Sequence, residues 1–487
     1  MRGRRCVDHE NARARIWLGG AVCLLAGAAC WRRVPEPPPL TAPLVEVPGP
    51  RPQIAASMTF SCLLSRDGHV ICWGDNALGQ LGEKARGKSE HCIGEQYEEE
   101  VEFPGRCDSE PRVVPGLDDV RQLAVGHDHA CALRGDGSVW CWGGNWQGQL
   151  GLGKDPRVTP ACRDDVACAR IPLPVPGIRA RSIAAGADSS CAVLESGQVA
   201  CWGDASSAQI SKARDICTAS YLACALTPVV IDGVADVSQV AVGGGHVCAL
   251  RKDGRIFCWG ANDHAEVGVS RAGNELCHRE YPCVRQPTLV PGVRARQVIA
   301  GGFHTCALES DGHVKCWGRD DRGQLGAPSA DEKCGPPIFE TYPGFEKYPC
   351  ASTPRTVQGL EHVARLAPGG LCAIVDGGRL FCWGSDVYGE LGIGGATGRC
   401  RVNGMFELPC SRSAVAVADA GTVVAVASSG RHVCSVGGDD RVFCWGANDL
   451  AQAGPPSKPI DLCVHIPPDQ KTPCLRRPRE LAVAARP

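Results

Sequence analysis

The tripeptide Cys-Trp-Gly occurs seven times in this chain, and every copy has another cysteine ten residues before its own. Successive copies begin 57 to 69 residues apart. A motif that recurs at such intervals is typical of a fold built from equivalent units, because each unit buries its apolar face against its neighbours. The seven cysteine pairs are Cys62 with Cys72, Cys131 with Cys141, Cys191 with Cys201, Cys248 with Cys258, Cys306 with Cys316, Cys372 with Cys382 and Cys434 with Cys444.

The segment between the two cysteines of a pair predicts a β-hairpin. In the second repeat, small and apolar residues alternate on both sides of residues 134–137, Arg-Gly-Asp-Gly;. Six repeats have glycine at the sixth position after the first cysteine, where a tight turn needs a positive φ;. The seventh repeat has Asp440 there, a residue type that also tolerates this conformation;.

The hairpin predicts a register as well as a turn. A turn centred between the strands of the second repeat places Cys131 opposite Cys141 and Leu133 opposite Val139;. Opposed Cα atoms in an antiparallel pair lie about 4.5–5.5 Å apart, which suits a disulfide. We therefore predict seven hairpin disulfides.

Two further strands fit upstream of each hairpin: one led by a proline, as at residues 111–116, and a short apolar run, as at residues 122–126. Four strands make one propeller blade, so the sequence predicts an all-β, seven-bladed β-propeller. Residues 478–485 resemble the proline-led strand. We predict that they pair into the blade that contains Cys62 and Cys72 and so close the ring; the alternative is a frayed tail.

The tails at residues 79–82, 148–151 and 323–326 all read Gly-Gln-Leu-Gly, and Gly-x-x-His precedes several hairpins, at Gly126/His129, Gly243/His246 and Gly301/His304. Together with the hairpin and its Trp-Gly, these elements resemble the repeats of the regulator of chromosome condensation family. Members with seven repeats are seven-bladed propellers. The founding member is a chromatin-bound nucleotide exchange factor for a small GTPase, so the resemblance implies this as an alternative activity.

A second cysteine pair lies between each tail and the next proline-led strand. Of the 31 cysteines, only Cys6, Cys23 and Cys30 belong to neither set. This evenness predicts disulfides and an oxidising compartment. The rival interpretation is metal binding, as at Cys277 with His278, but no Cys-x₂-Cys occurs and each site would need two further ligands;. The insert pairs are Cys92 with Cys107, Cys162 with Cys168, Cys217 with Cys224, Cys277 with Cys283, Cys334 with Cys350, Cys400 with Cys410 and Cys463 with Cys474.

The first residues read as a targeting segment. Five arginines precede an apolar run at residues 16–29 that is too short to span a bilayer comfortably;. Residues 27–30, Gly-Ala-Ala-Cys, resemble a bacterial lipobox with Cys30 as the lipidated residue. We predict a signal peptide at 1–29, the lipidated Cys30 with a proline-rich tether at 30–42, and the propeller at 43–487. Plain secretion and a retained membrane anchor are the alternatives.

Motifs that carry chemistry are scarce. The chain contains no His-Glu-x-x-His, phosphate loop or Gly-x-Ser-x-Gly, and residues 392–398 read as an ordinary glycine-rich loop;. The seven Trp-Gly tryptophans are predicted to pack in the core. Four histidines, His129, His246, His304 and His432, share one repeat position, so we expect a structural hydrogen bond within each blade and no shared active site;. No catalytic, cofactor or metal residue is predicted.

The inserts occupy one point of every repeat and should emerge on one face of the ring. A net charge of −2 gives no general attraction to nucleic acid;. We therefore predict an exported, monomeric binding module that contacts a protein or envelope component. A propeller enzyme with a channel site and a GTPase regulator are the alternatives. The candidate contact residues are aromatic: Phe339, Tyr342, Phe345, Tyr348 and Tyr281;.

Overall fold

The computed structural model describes residues 52–82, 107–158, 162, 166–213, 215–217, 222–271, 275–277, 281–329, 332–335, 347–395, 398–402, 406–455, 461–464 and 471–483. All of them belong to one compact unit, Leu40–Pro487. The predicted signal peptide, Cys30 and the tether lie outside the described residues. Within the described ranges, no helix has the length and apolar character needed to span a membrane.

The described residues form seven antiparallel sheets, and the predicted seven-bladed β-propeller is confirmed. The first two blades contain β1 (Gln53–Ala56), β2 (Phe60–Leu64), β3 (Val70–Asp75) and β4 (Cys107–Val113), then β5 (Val120–Val125), β6 (His129–Arg134), β7 (Val139–Gly144) and β8 (Cys168–Pro174). The third contains β9 (Ala180–Ala185), β10 (Ser189–Leu194), β11 (Val199–Asp204), β12 (Asp215–Cys217) and β13 (Leu222–Val230). The fourth contains β14 (Val237–Val242), β15 (His246–Arg251), β16 (Ile256–Ala261), β17 (Glu275–Leu276) and β18 (Pro282–Leu289).

The remaining three blades follow the same order. The fifth contains β19 (Ala295–Ala300), β20 (His304–Glu309), β21 (Val314–Arg319), β22 (Glu332–Cys334) and β23 (Tyr348–Thr356). The sixth contains β24 (Val363–Leu366), β25 (Cys372–Val375), a 3₁₀ turn (Asp376–Gly378), β26 (Leu380–Ser385), β27 (Gly398–Val402) and β28 (Phe406–Ala416). The seventh contains β29 (Val423–Ser428), β30 (His432–Gly437), β31 (Val442–Ala447), β32 (Asp461–Val464) and β33 (Lys471–Leu481).

Each blade runs from an inner strand through the two hairpin strands to an outer strand, and in blades three to seven the insert adds a fifth strand beyond the outer one. The hairpin register is as predicted, with Cys131 opposite Cys141 and Leu133 opposite Val139. Asp440 has a φ of 65°, which confirms the left-handed conformation expected at the seventh turn;. The four strands predicted for each blade are thus present. The fifth strand of blades three to seven is not part of the prediction.

The outer strand belongs to the hairpin that precedes it in the chain, not to the one that follows. Cys72 of β3 pairs with Arg112 of β4, across the first insert. The C-terminal strand obeys the same rule, because Cys444 of β31 pairs with Arg479 of β33. The prediction that residues 478–485 complete the blade of Cys62 and Cys72 is therefore wrong. The second hairpin strand offers an unpaired edge to the first strand that returns from the insert, and this fills each blade locally.

Side chains therefore close the ring. Ile54 and Trp73 of blade one pack in a single apolar cluster with Val426 and Trp445 of blade seven. At the inner strands, side-chain amides bridge the gap between blades. Gln239, for example, donates from Nε2 to the Val298 carbonyl at 2.9 Å and accepts from the Val298 N–H at 3.0 Å. Such a bridge replaces the backbone ladder that two diverging strands cannot form.

The seven Trp-Gly tryptophans are buried, and their positions repeat. Each indole Nε1–H donates to the backbone carbonyl of the Gln or Glu in the tail of the preceding blade, at 2.8 to 3.0 Å. The predicted core role is thus accompanied by a cross-blade hydrogen bond. The donor and carbonyl residues are Trp73/Gln452, Trp142/Gln80, Trp202/Gln149, Trp259/Gln209, Trp317/Glu266, Trp383/Gln324 and Trp445/Glu390.

Candidate interaction face and the groups beneath it

One edge of the ring carries the inserts. The second strand of each blade starts here, the third strand ends here, and the tail and insert follow. We call this edge the insert face. The opposite edge carries the tight hairpin turns, such as the one that contains Gly137 with a φ of 82°. In the described part of the chain, the tails that lead into the inserts therefore all lie at this edge.

Hairpin disulfides join the two central strands of every blade, at the places where the cysteine spacing predicts them. Their Cα atoms lie 4.0–4.1 Å apart, slightly closer than the 4.5–5.5 Å expected for opposed residues;. The seven bonds are Cys62–Cys72, Cys131–Cys141, Cys191–Cys201, Cys248–Cys258, Cys306–Cys316, Cys372–Cys382 and Cys434–Cys444. In each blade the pairing is the one that the repeat predicts.

Insert disulfides join an insert to its outer strand, again between the predicted partners. Six such bonds lie within the described residues: Cys162–Cys168, Cys217–Cys224, Cys277–Cys283, Cys334–Cys350, Cys400–Cys410 and Cys463–Cys474. Cys107 is also disulfide-bonded, and its predicted partner Cys92 lies outside the described residues. The inserts are therefore tied to the blades at the insert face.

The fifth strands present apolar side chains to solvent. Ile216 of β12 is 62% exposed and Leu276 of β17 is 55% exposed, at equivalent places in blades three and four. Phe406, at the start of β28 and opposite Val402, is also exposed. These side chains were absent from the sequence prediction, because an isolated apolar residue between two cysteines carries no signal until its strand is known to lie at an edge.

The aromatic residues predicted to contact a partner differ in their exposure to solvent. Tyr348 is 3% exposed, so the expectation that it lies on the surface is wrong. Its ring stacks on His264 with centroids 5.1 Å apart and lies beneath the Arg319 guanidinium at 4.4 Å. Tyr281 is partly exposed and lies within the fourth insert, between Cys277 and Cys283. Phe339, Tyr342 and Phe345 lie outside the described residues.

Three of the four histidines face a hydroxyl group of the next blade. His246 Nε2 and the Thr305 hydroxyl of the next blade are 2.8 Å apart. The pairs His129/Ser190 and His432/Ser61 have the same geometry, at 2.8 and 2.6 Å. The expected structural role therefore fits. The expected bond within a single blade is wrong for His129 and His246, whose Nδ1 atoms have no partner among the described residues, but it is present at His432, whose Nδ1 lies 3.1 Å from the Ser429 hydroxyl. The hydroxyl one residue before the next blade's first cysteine was the signal that could have identified the partner. In blade six that position is Leu371, which has no hydroxyl to offer His304.

Burial keeps these imidazoles neutral. It lowers the pKa of His129, His246 and His432 to about 3, and that of His304 to about 4;. A group that stays neutral at pH 7 and lies between blades suits packing better than proton transfer to a substrate.

Carboxyl groups lie beneath the insert face in the first three blades. Burial raises the pKa of Asp128 to about 6, and the nearby Asp75 adds to the rise. Burial and Asp204 do the same for Asp188, whose pKa is also about 6. Blades five and seven instead hold ion pairs at this edge, such as Arg319–Asp321 at 2.5 Å. The face therefore has an acid-rich side whose charge changes with pH and another side where arginines are present.

Two glutamates occupy the tail position where the other blades have glutamine. Burial raises the pKa of Glu390 to about 7, and its carboxyl accepts bonds from the Ser385 hydroxyl at 3.0 Å and the Tyr388 N–H at 2.6 Å. Burial also raises the pKa of Glu266 well above its usual value. Glu266 lies beside Asp263 and His264, with potential ligand atoms of the three side chains within 4.8 Å of one another.

The fold and its contacts define a class of protein: a seven-bladed propeller whose blades are joined by a tryptophan–tail hydrogen bond. Two family models described as Regulator of chromosome condensation (RCC1) repeat match it, one at residues 53–80, 120–149, 180–209, 237–266 and 295–324, the other at 67–133, 136–193 and 253–308. The chain belongs to the regulator of chromosome condensation repeat family.

Curated relatives include Protein pim1 of Schizosaccharomyces pombe, 28% identical over 354 residues, which cover 70% of this chain and 60% of pim1. The ultraviolet-B receptor UVR8 of Arabidopsis thaliana is 26% identical over 285 residues, covering 58% of this chain and 56% of UVR8. The RCC1-like G exchanging factor-like protein of Mus musculus is 28% identical over 315 residues, 62% of this chain and 60% of its own length. The chain thus spans about 60% of the length of these relatives.

Solved structures resemble the fold at lower identity. Prp20p of Saccharomyces cerevisiae matches with a TM-score of 0.59 and 19% identity, over 86% of this chain and 87% of Prp20p. Human WBSCR16 matches with a TM-score of 0.60 and 18% identity, over 85% and 94%. The Prp20p structure is described with its binding to Gsp1p and histones.

Proposed function

We propose that this protein is an exported binding module that contacts a protein partner through its insert face. The observation that carries the proposal is the set of six insert disulfides, each fixing an insert to the outer strand at the same edge of its blade. A loop that is already ordered loses little conformational entropy when it binds, so these inserts suit recognition.

Exposed apolar side chains at this edge support a protein partner. Ile216 and Leu276 project from fifth strands that end in a disulfide-bonded insert, and Phe303 is 45% exposed in the loop before β20. An interface buries such side chains at its centre and leaves polar groups at its rim. Relatives that bind proteins, such as Prp20p with Gsp1p and histones, favour the same class of partner.

Paired cysteines support export. Every cysteine after Cys30 belongs to one of the two repeating pairs, and such pairing persists outside a reducing cytosol;. The lipobox-like residues 27–30 favour a lipid anchor at Cys30;. The mass of the native protein, measured before and after reduction, tests both points. Free thiols in the unreduced protein would refute export, and an unacylated chain that begins after a different cleavage site would refute the anchor.

A double substitution at the insert face tests the binding surface. Ile216→Asp with Leu276→Asp should abolish capture of partners from cell-envelope extract, because both charges lie where an interface would bury apolar area. Val230→Asp with Leu289→Asp is the matched control, since these exposed residues lie on outer strands of the same two blades, toward the opposite edge. Equal capture by both variants would place the binding surface elsewhere.

Nucleotide exchange on a small GTPase is the second candidate, favoured by the mouse relative named as G exchanging factor-like. It requires a cytoplasmic partner and hence reduced cysteines. An exchange assay with the oxidised and the reduced protein separates the two proposals, because acceleration by the reduced form alone would favour the exchange factor.

A further inference from the structure

The tail of blade four departs from the other tails in a way that changes its charge. Five blades have Gln at the sixth position after Trp-Gly, and four of these glutamines donate from Nε2 to an aspartate carboxylate of their own tail or strand end. These bonds are Gln80–Asp75 at 3.1 Å, Gln209–Asp204 at 2.9 Å, Gln324–Asp321 at 3.1 Å and Gln452–Asp449 at 2.8 Å.

Blade four replaces the amide of that pair by a second carboxyl group. Glu266 keeps one bond of the glutamines, since its Oε2 accepts from the His264 N–H at 2.8 Å. It has no N–H₂ to offer Asp263, which occupies the repeat position of Asp321 and Asp449. Two carboxyl groups therefore meet where other blades have an amide and a carboxylate. The carboxylate oxygens of the two groups lie within 4.8 Å of each other. Two negative charges at that distance repel unless a proton or a cation lies between them.

A histidine nitrogen points into the same space. His264 Nδ1 lies 2.9 Å from Asp263 Oδ2 and 3.8 Å from Glu266 Oε1, and it makes no hydrogen bond of acceptable geometry with any described residue. The imidazole is held in place by stacking on Phe303, with centroids 4.4 Å apart, and on Tyr348. A buried nitrogen without a hydrogen-bond partner lowers the stability of the folded protein. A ligand bound at His264 Nδ1 would remove that cost.

The three side chains are well shielded from water. Residue exposures are 1% for Glu266, 8% for His264 and 9% for Asp263. Two guanidinium groups act on the carboxyl groups through their charge, Arg271 on Glu266 and Arg319 on Asp263, but their hydrogen bonds go elsewhere: Arg319 binds Asp321, and Arg271 donates to the Gly335 carbonyl at 3.0 Å. Among the described residues, neither arginine therefore donates a hydrogen bond to Asp263 or Glu266.

We propose that Asp263, His264 and Glu266 bind a divalent transition-metal cation of the Zn²⁺ class. One imidazole nitrogen and two carboxylate oxygens are a ligand set that Zn²⁺ accepts, and the two carboxylates balance its charge. Zinc–ligand bonds of about 2.0–2.2 Å hold neighbouring ligand atoms roughly 3.3–3.5 Å apart, which lies between the two distances given above. Three protein ligands leave one coordination position open. The site contains no cysteine, so a search of cysteine spacing does not find it.

Blade six supplies an internal control for this site. Glu390 has the repeat position of Glu266, but Val387 and Tyr388 replace the aspartate and the histidine. Its carboxyl is instead satisfied by the Ser385 hydroxyl and a backbone N–H. A buried tail glutamate alone therefore does not create the ligand set.

Metal titration of the disulfide-bonded protein tests the proposal, with Glu266→Gln as the key variant. This substitution restores the glutamine of the other tails and should fold, because its amide can donate to Asp263. The metal-stripped wild type and Glu390→Gln should each bind one equivalent of Co²⁺ or Zn²⁺, give the visible absorption of low-coordinate Co²⁺, and melt at a higher temperature with Zn²⁺. Glu266→Gln should bind at least tenfold more weakly and lose both signals.

Two outcomes would overturn the site. Equal binding by the wild type and Glu266→Gln would assign the metal to other surface groups. An absence of binding by the wild type, with Glu266→Gln altering only the pH dependence of stability, would mean that the two carboxyl groups share a proton. Circular dichroism of Glu266→Gln shows in either case whether the fold is intact.

Discussion

The indole Nε1 of Trp73 donates a hydrogen bond to the backbone carbonyl of Gln452, 3.0 Å away and 379 residues later in the chain. The same bond joins every other pair of adjacent blades, where the partners are only 50 to 62 residues apart. The seam between the first and last blades is therefore chemically equivalent to the six other interfaces, although it joins the two ends of the described chain.

Substitution of two of these tryptophans should reveal a difference in their acceptors. The Gln452 carbonyl accepts from the Ser61 hydroxyl at 3.1 Å as well as from Trp73. The Gln209 carbonyl accepts from Trp259, and the repeat position of Ser61 is there occupied by Val247, which has no hydroxyl. We expect Trp259→Phe to lower the free energy of unfolding by about 1–2 kcal/mol more than Trp73→Phe does, as measured by urea denaturation at pH 7, because an unsatisfied buried carbonyl is costly. Equal losses would contradict this account.

The cross-blade hydroxyl should contribute to stability at His246. Thr305→Val keeps the shape of the side chain but leaves the buried His246 Nε2 without its partner, so we expect a loss of about 1–3 kcal/mol in the free energy of unfolding. Thr305→Ser retains the hydroxyl and should recover most of the loss. If Thr305→Val is as stable as the wild type while Thr305→Ser is destabilised, the contribution of Thr305 is the packing of its methyl group and not the hydrogen bond.

Glu390 should make stability depend on pH. Its pKa is about 7 in the folded protein against an ordinary value of 4.5. The folded state therefore holds a proton that the unfolded state has released between pH 4.5 and pH 7, so the contribution of this group falls as pH rises through that range. We expect Glu390→Gln to gain stability relative to the wild type between pH 4.5 and pH 8, by at most about 3 kcal/mol. A pH-independent difference between the two proteins would show that the carboxyl ionises normally.

The buried histidines act in the opposite direction. Their folded pKa of about 3 or 4 lies below the ordinary 6.5, so the unfolded state binds more protons as pH falls;. We therefore expect the free energy of unfolding to fall as the pH is lowered from about 6.5 to about 3. His129→Gln should make this fall smaller by roughly the contribution of one histidine. An unchanged acid limb in that variant would argue against a neutral His129. Denaturant unfolding at half-unit pH intervals measures both.

A hairpin disulfide and an insert disulfide should differ in what they stabilise. Cys131–Cys141 closes a loop with a sequence separation of 10 inside the blade core, so replacing both cysteines by serine should cost about 2–3 kcal/mol of global stability;. Cys217–Cys224 fixes an insert at the blade edge. Its removal should change global stability less and should expose the insert to limited proteolysis. Equal protease resistance would mean that the insert is ordered without its disulfide.

The repeat motif predicts the blade and its hairpin, because the two cysteines, the turn and the tryptophan are local in sequence. It does not mark where one repeat ends. A proline-led strand such as residues 111–116 could pair with the hairpin before it or after it, and only the free edge of β3 decides. This ambiguity produced the wrong assignment of residues 478–485.

Side-chain partners were harder to predict than strands. Tyr348 is buried because His264 of the preceding blade and Arg319 of its own blade both pack against its ring. Nothing in the Tyr-Pro-Cys segment that contains it reveals that neighbour. The Asp263–His264–Glu266 cluster, by contrast, could have been found by aligning the seven tails with one another, since only there do all three residue types coincide.

Every blade is assembled from one contiguous stretch of chain, and β33 completes its own blade without lending a strand to another. Duplication or deletion of the gene segment for one blade would therefore add or remove a complete blade, and no strand would be left without its partner. Ring closure then rests on side-chain contacts between the first and last blades, such as the bond from Trp73 to Gln452, and needs no strand exchanged between the two chain ends.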